Sequence, residues 1–396
     1  MRLAPTGLLT AVAALLAAFP AAAQQRLQAL DAGARPIQNQ YVCVFSSAYS
    51  PGQGAHAEAR RIAAPLGARV LRVYDKSLRG FSLNATEQVV RRLLVSNPQI
   101  AWCEPDQLVG LDPATGATPG VRAQAVAQPR QTTPWGVTRV NGGIAYQGTN
   151  RAWVIDTGID PGHPDLNVDA SRSRSFGRTG DWSDMHGHGS HVAGIIGARN
   201  NAIGVVGVAA GAPLVAVRVL EANGAGPISA IIAGVDYVAA NAAPGDVANI
   251  SVAIFPSDAL DNAVRAAAAR GVRLTLAAGN FSIAAGLYSP GRVNAANVYT
   301  ISSFGQGDSR SRFSNFGNPP IDFAEPGEAV TSTWRGGQYR SLSGTSMAAP
   351  HAAGILLLGA IAEGGQVGGD PDGRPDVIGI HQERRWRDPI LRRRRN

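Results

Sequence analysis

Residues Arg151-Ala152-Trp153-Val154-Ile155-Asp156-Thr157-Gly158 decide the fold. A short apolar run that ends on a carboxylate and a glycine reads as a parallel strand, buried on both faces, arriving at its sheet edge. Three more such runs follow, Leu214–Val219, Val247–Val252 and Val272–Ala278. Ile228–Ala240 and Asp258–Ala269 lie among them with helical periodicity, and a further helix is expected to begin near Thr345. Strands alternating with helices imply an α/β domain, a mostly parallel sheet with helices on both faces. Such sheets bind their ligands beyond the carboxyl ends of the strands. Asp156 and Asn280 both stand where predicted strands end.

Outward from this body the chain changes character. Arg2, the apolar run Leu8–Phe19 and the small residues Ala21-Ala22-Ala23 read as a secretory signal over residues 1–23. That run, and later Ala352–Ala362, are too short to span a bilayer. An exported protein with no membrane anchor is therefore expected. The net charge of +8 suggests a nucleic-acid partner, but its distribution argues against one. Residues 131–383 hold 16 Arg against 20 acidic residues, whereas the last thirteen residues hold seven Arg and one Asp. An Arg-rich end of this kind reads as a solvated tail.

Residues 24–110 read as a separate small module. Gln40–Phe45, Val70–Tyr74, Phe81–Leu83 and Ala101–Glu104 look like strands, and Ala55–Leu66 and Thr86–Leu94 like helices, the second capped by Asn84. Strand, helix, strand, strand, helix, strand is the ferredoxin-like order. The chain's two cysteines, Cys43 and Cys103, fall on the first and last of these strands, which are neighbours in that fold. Export permits a disulfide between them; two buried free thiols are the alternative. Residues 111–130, rich in Gly, Pro, Thr, Ala and Gln, have linker composition.

Four motifs in the body carry chemistry. Asp156 supplies an acid; His188, in His186-Gly187-His188-Gly189-Ser190-His191, a base; Asn280, closing Leu276-Ala277-Ala278-Gly279-Asn280, an amide donor. Ser346, in Ser343-Gly344-Thr345-Ser346-Met347-Ala348-Ala349-Pro350-His351, is a nucleophile at a helix start. A serine hydroxyl needs a base to become nucleophilic, and an oxyanion needs fixed donors. His186, His188 and His191 also have a zinc-chelating spacing, so a zinc hydrolase is the alternative reading.

Together, in the order Asp, His, Asn, Ser, these motifs resemble the subtilase family of serine proteases over roughly residues 131–362. Gly80-Phe81-Ser82-Leu83-Asn84 and Trp102-Cys103-Glu104-Pro105-Asp106 are similar to that family's inhibitor propeptide. The resemblance implies a subtilisin-like three-layer domain, polypeptide substrates, a propeptide that inhibits its own enzyme, self-cleavage between Val121 and Gln131, and a monomer. It assigns His188 to catalysis and His191 to packing, and leaves His186 exposed. It also implies structural calcium on Gln131, Asp165 and Asn201 with the carbonyls of Arg199, Ile203 and Val205, and a weaker site at Asp322.

Substrate is implied to lie between Gly224-Ala225-Gly226 and Ser251-Val252-Ala253, with Ala277, Ala278 and Gly279 as a further wall. Ala253 and Ile254 replace two glycines usual in the family, so small or medium apolar residues are expected before the cut. After Ala362 the pattern is lost, and Gly364–Gly373 and the Arg-rich end form an extension, residues 363–396, that is either a short hairpin near Pro375–His381 or trimmed away.

Overall fold

The computed structural model describes residues 26–28, 34–49, 54–111 and 129–382. The expected signal segment, the interior of the linker and the Arg-rich end lie outside these residues.

The small module is a sheet carrying two helices. Strands β1 (Pro36–Phe45), β2 (Arg69–Tyr74), β3 (Gly80–Asn84) and β4 (Ile100–Gly110) lie in the order β4-β1-β3-β2, all antiparallel. Helices α1 (Ala55–Ala63) and α2 (Glu87–Ser96) cover one face, closing a core of Phe45, Ile62, Phe81, Leu83, Leu93, Leu94 and Ile100. The cap of α2 is Thr86, whose hydroxyl accepts the Val89 N–H, and not Asn84, which ends β3. Cys43 and Cys103 sit directly opposite one another on β1 and β4 and are disulfide-bonded.

The larger body is a doubly covered parallel sheet. In chain order its elements are β5 (Ala152–Asp156), α3 (His188–Gly197), β6 (Leu214–Arg218), β7 (Ala225–Pro227), α4 (Ile228–Asn241), β8 (Val247–Ile250), α5 (Asp258–Ala269) and β9 (Arg273–Ala277). There follow β10 (Val298–Gly305), β11 (Ile321–Pro326), β12 (Val330–Trp334), β13 (Gln338–Leu342), α6 (Thr345–Leu358), β14 (Ile361–Gln366) and β15 (Val377–His381). The sheet runs β14-β15-β11-β10-β9-β8-β5-β6, parallel from β15 to β6, with a two-residue edge strand, Arg174–Ser175, beyond β6.

Alternation along each strand divides the core in two. Trp153 and Ile155 pack with Ala248, Leu274, Ile231 and Val264 on the α4/α5 side. Ala152 and Val154 pack with Ile195, Ile196, Met347 and Ala353 on the α3/α6 side. Helix α6 is apolar on every face and is buried along nearly its whole length, which fits a helix lying in the interior rather than on the surface.

The structure departs from the sequence reading at the C-terminal end. Helix α6 stops at Leu358, and the chain turns at Gly359 and rejoins the sheet as the hairpin β14–β15. The sheet domain thus reaches His381 instead of closing at Ala362. This agrees with the hairpin alternative near Pro375–His381. Asp376 inside it bonds the Ser302 hydroxyl of β10, and Arg139 bonds both Asp308 and the Gly364 carbonyl.

Candidate active site

Asp156 is the last residue of β5, and His188 is the first of α3. Both are buried, at 0% and 1% exposure. His188 Nδ1 lies 2.8 Å from Asp156 Oδ1 and 2.9 Å from Oδ2. Asp156 Oδ1 also accepts the Thr157 N–H at 2.7 Å, so the carboxylate cannot swing away. Burial works against a charged imidazole at His188, but the neighbouring charges of Asp156 and Asp184 outweigh it and hold its pKa above the ordinary histidine value.

Two glycines let these groups meet. Gly158 turns the chain after Asp156 at φ +106°, and an added Cβ would lie 2.4 Å from the Trp182 carbonyl oxygen. On α3, a Cβ at Gly189 would lie 2.1 Å from the Gly158 carbonyl oxygen. Helix and turn are at backbone contact, where a side chain on either glycine would push base away from acid.

Ser346 is the second residue of α6 and 5% exposed. Its Oγ donates to the Ser251 carbonyl at 3.3 Å, while His188 Nε2 is buried without a partner. The serine thus leans toward the cleft wall in this structure; bonds between reacting groups often tighten only once substrate is bound. Asn280 is oriented from behind. Its Oδ1 accepts both the N–H and the hydroxyl of Thr345, each at 2.9 Å, which leaves its amide nitrogen for the cleft it lines with Ser346. The Thr345 hydroxyl also accepts the Gly279 N–H at 3.1 Å. Thr345 is a site residue that sequence reading missed, although it stands beside Ser346 in the quoted motif.

The cleft is a cavity of about 320 Å³. Ser251, Val252, Ala253, Ala277 and Gly279 line it, whereas Gly224, Ala225 and Gly226 do not. Nor does Ala278; it is fully buried, and its carbonyl accepts from Asn315. Phe281 and Tyr288, stacked at 4.7 Å, add an aromatic wall together with Phe255. Phe281 was not legible as part of the site, since its motif ends one residue earlier.

The cleft is not empty of chain. β4 continues out of the small module and pairs antiparallel with β7, Ala225 opposite Gly110, Gly226 opposite Val109 and Pro227 opposite Leu108. The Leu111 N–H bonds the Gly224 carbonyl at 3.0 Å. Glu104 and Asp106, from the same strand, reach the first turns of two helices. Glu104 accepts the Ser257 hydroxyl and the Ala259 N–H at α5, and Asp106 accepts the Ser229 N–H at α4. These are anion positions favoured by the orphan N–H groups of a helix start.

The other histidines separate. His191 Nε2 lies 3.1 Å from the Val330 carbonyl and 3.0 Å from that of Arg340, and burial pushes its pKa down to about 3, which suits a neutral packing residue. His186 is half-buried rather than exposed, with Trp334 6.0 Å away and Gly224 close by. Its Nδ1 accepts the His188 N–H at 3.3 Å. Among the described residues no three His, Cys, Asp or Glu side chains are grouped so as to hold a metal ion, so these histidines give the zinc alternative no geometric support.

Five of the residues expected at the calcium site, Gln131, Asp165, Arg199, Asn201 and Val205, are linked by hydrogen bonds. Gln131 Nε2 touches the carbonyls of Arg199 and Val205, at 2.9 and 3.4 Å. Asp165 takes the Asn201 amide at 2.8 Å and, on its other oxygen, the Val205 N–H and the Tyr339 hydroxyl, each at 3.1 Å. The N-terminal pairing across this point uses the carbonyls of Ala202, Gly204 and Pro129, so that of Ile203 lies outside it. Turning the two amides would present oxygens, and the donor set fits a hard cation. Asp322 stands apart, accepting the Thr300 N–H at 2.8 Å.

An acid bonded to an imidazole at the carboxyl edge of a parallel sheet, and a serine at a helix start beside an amide donor, are the groups a serine hydrolase uses. Residues 153–361 match the family model described as "Subtilase family". The chain is 37% identical over 340 residues to alkaline serine exoprotease A of Vibrio alginolyticus, a match covering 81% of this chain and 60% of that protein's length. It is 37% identical over 331 residues to the extracellular serine proteinase of Thermus sp. (strain Rt41A), covering 79% and 75%. A solved structure, that of a cold adapted subtilisin-like serine proteinase, superposes with a TM-score of 0.56 at 35% identity, over 63% of this chain and 98% of that one. The chain belongs to the subtilase family of serine endopeptidases.

Because Asn280 Oδ1 is occupied by Thr345, the amide nitrogen is the group whose loss should be felt in the reaction. Asn280→Ala is expected to lower kcat by roughly 10²–10³-fold with little change in KM. Steady-state kinetics on a peptide anilide check this, and an equal fall in substrate binding would contradict it.

Proposed function

We propose that the chain is the precursor of an exported serine endopeptidase that frees itself from its own propeptide. The observation that carries the reading is the β4–β7 pairing, which lays Leu108–Leu111 as a peptide strand along the cleft that Ser346 also lines. Main-chain pairing of this kind recognises a peptide through its backbone. His188 takes the proton of Ser346 as Oγ attacks the carbonyl carbon. The Asn280 amide and the Ser346 N–H receive the oxyanion, with the N-terminal end of α6 adding its dipole. His188 then protonates the leaving amine, and water releases the acyl group by the same route. Asp156 holds the imidazole throughout and keeps its charge.

In this reading residues 1–23 direct export, 24–110 form the inhibitor and 111–130 the segment cut during maturation. Since the strand in the cleft is Leu108–Leu111, the first self-cleavage falls within a few residues of Leu111, and any cut between Val121 and Gln131 is a second event. Intact mass and N-terminal sequencing of the exported protein, beside Ser346→Ala, test this. Wild type should lose its propeptide and the variant keep it. Identical cutting of both would mean that another protease matures the chain.

Ala253 supports a narrow pocket for the residue before the cut, since its Cβ would lie 3.1 Å from one added at Gly279. A panel of peptides should be cut fastest after small or medium apolar residues, and Ala253→Gly should admit larger ones. Efficient wild-type cleavage after Phe or Tyr would sink this proposal.

Calcium is the cofactor proposed for Gln131, Asp165, Arg199, Asn201, Ile203 and Val205, where it would tie the mature N-terminus to two loops. A ligand that binds only the folded state raises its stability. Chelator should therefore lower the melting temperature of the Ser346→Ala protein by several degrees, roughly 1–3 kcal/mol of stabilisation lost. In Asp165→Asn the chelator should have no further effect; a melting curve indifferent to chelator in the parent would remove calcium from the account.

A further inference from the structure

The link between acid and base runs through a second carboxylate that neither the motifs nor the reaction scheme includes. Asp184 lies in the loop before α3 and is 7% exposed. Its Oδ1 accepts the Thr157 hydroxyl at 2.8 Å and the N–H groups of His186 and Gly187 at 2.9 and 2.7 Å. Its Oδ2 accepts the N–H and the hydroxyl of Ser190, at 2.9 and 2.7 Å. Five donors meet one buried carboxylate, and no Arg or Lys forms an ion pair with it among the described residues.

The donors come from both halves of the pair. Thr157 follows Asp156 directly, and its hydroxyl also accepts the Gly189 N–H at 2.9 Å. Ser190 belongs to the first turn of α3, and its hydroxyl accepts the Asp160 N–H at 2.9 Å. The helix that presents His188 begins with Gly187 as its cap, with no side-chain cap of its own. Thr157 and Asp184 take the N–H groups of Gly189 and Ser190 that such a helix start leaves without partners. A carboxylate there also meets the positive end of the helix dipole.

We infer that Asp184 is a positioning residue for the reaction: it fastens the first turn of α3 to the loop after Asp156, so fixing the His188 imidazole against Asp156, and places a second negative charge near it. The inference rests on the triad reading above. The charged groups facing His188 are Asp156 from β5 and Asp184 from the preceding loop. The flanking His186 and His191 are both pushed toward the neutral form, by burial first and by His188 second.

The sign of the effect follows. Catalysis needs the neutral imidazole, and removing an anion lowers the pKa of His188, so the acid limb of the rate profile should move to lower pH. Asp184→Asn keeps the shape but sets an amide N–H₂ against groups that donate. Per active serine, counted by titration with a fluorophosphonate, kcat should fall roughly 10–100-fold. KM should stay within about two-fold, and the acid limb should shift down by roughly half a unit or more. A merely structural aspartate would reduce the titratable fraction and leave rate per site and acid limb unchanged, and that result overturns the inference. If Asp184→Asn does not fold, Thr157→Val cuts the same link while keeping the charge. It should lower kcat per site about tenfold with the acid limb unmoved, and an unchanged rate per site would again be decisive against the role. Failure of the fluorophosphonate to label wild type at Ser346 would instead overturn the triad reading itself.

Discussion

Everything in this site depends on one close approach, that of the backbone of α3 to the turn leaving β5. Asp156 and His188 are 32 residues apart in sequence and belong to different elements, yet their bond requires register to a few tenths of an ångström. The sheet brings Asp156 to its carboxyl edge, and Gly189 allows the helix to settle against the Gly158 carbonyl. On the far side Gly194 packs against Ser332 and Thr333 of β12, whose hydroxyls bond the carbonyls of His191 and Ser190. The helix is thus gripped from two sides by backbone-scale contacts, which leave little freedom for the imidazole it carries. Side chains long enough to span a looser gap would be flexible, and the loss of order would be paid in misdirected proton transfer.

The cleft presents the opposite situation, an unsatisfied edge. β7 is a three-residue edge strand whose sheet partner is β4 of the small module; Ala225 bonds Glu221 and Asn223 within its own loop, and the rest of the edge is covered by β4. The same strand reaches the helices behind the cleft. Glu104 and Asp106 are both almost fully buried at helix starts, and Asp236 of α4 accepts the N–H groups of Asp75, Lys76 and Ser77 in return. Burial pushes the Glu104 pKa up to about 7, against the pull of its bonds to Ser257 and Ala259. The disulfide holds β4 to β1. A strand anchored at its root and capping two helices is a well-ordered occupant of the cleft, its ordering already supplied by the small module.

The elements that were legible in the sequence are those whose physics is local. Buried parallel strands read as apolar runs, and α4 and α5 begin and end within a residue of their periodicity. The triad was legible because each member sits in a motif whose glycines serve it. Asp184 was not, because its five partners are mostly backbone groups and hydroxyls that composition does not mark. His186 looked like a surface residue because nothing local announces Trp334, which arrives from β12. The cap of α2 went to Thr86 over Asn84 because β3 needs Asn84 for its last pairs, with Gln40 and Arg69. The β14–β15 hairpin was least legible, its first strand being Gly-rich with no fully buried residue.

That hairpin also accounts for the least expected residue in the core. Glu325, on β11, is fully buried, and neither carboxylate oxygen has a partner. Burial holds its pKa well above the usual carboxylate range, only partly opposed by Arg139, which favours the neutral acid. Gly379 of β15 faces it, and a Cβ there would lie 2.3 Å from Glu325 Oε1. The glycine is therefore what lets β15 pair with β11 over a buried acid, next to Ile378 and its partner Ala324. Arg139 makes no hydrogen bond to Glu325 among the described residues; its Nε and Nη2 are committed to Asp308 and the Gly364 carbonyl. The arginine spends its bonds fastening the hairpin, and the hairpin in turn keeps water from the acid. Edge strand, glycine and buried carboxyl thus pack as one unit, the absent side chain at Gly379 leaving the room that Glu325 fills.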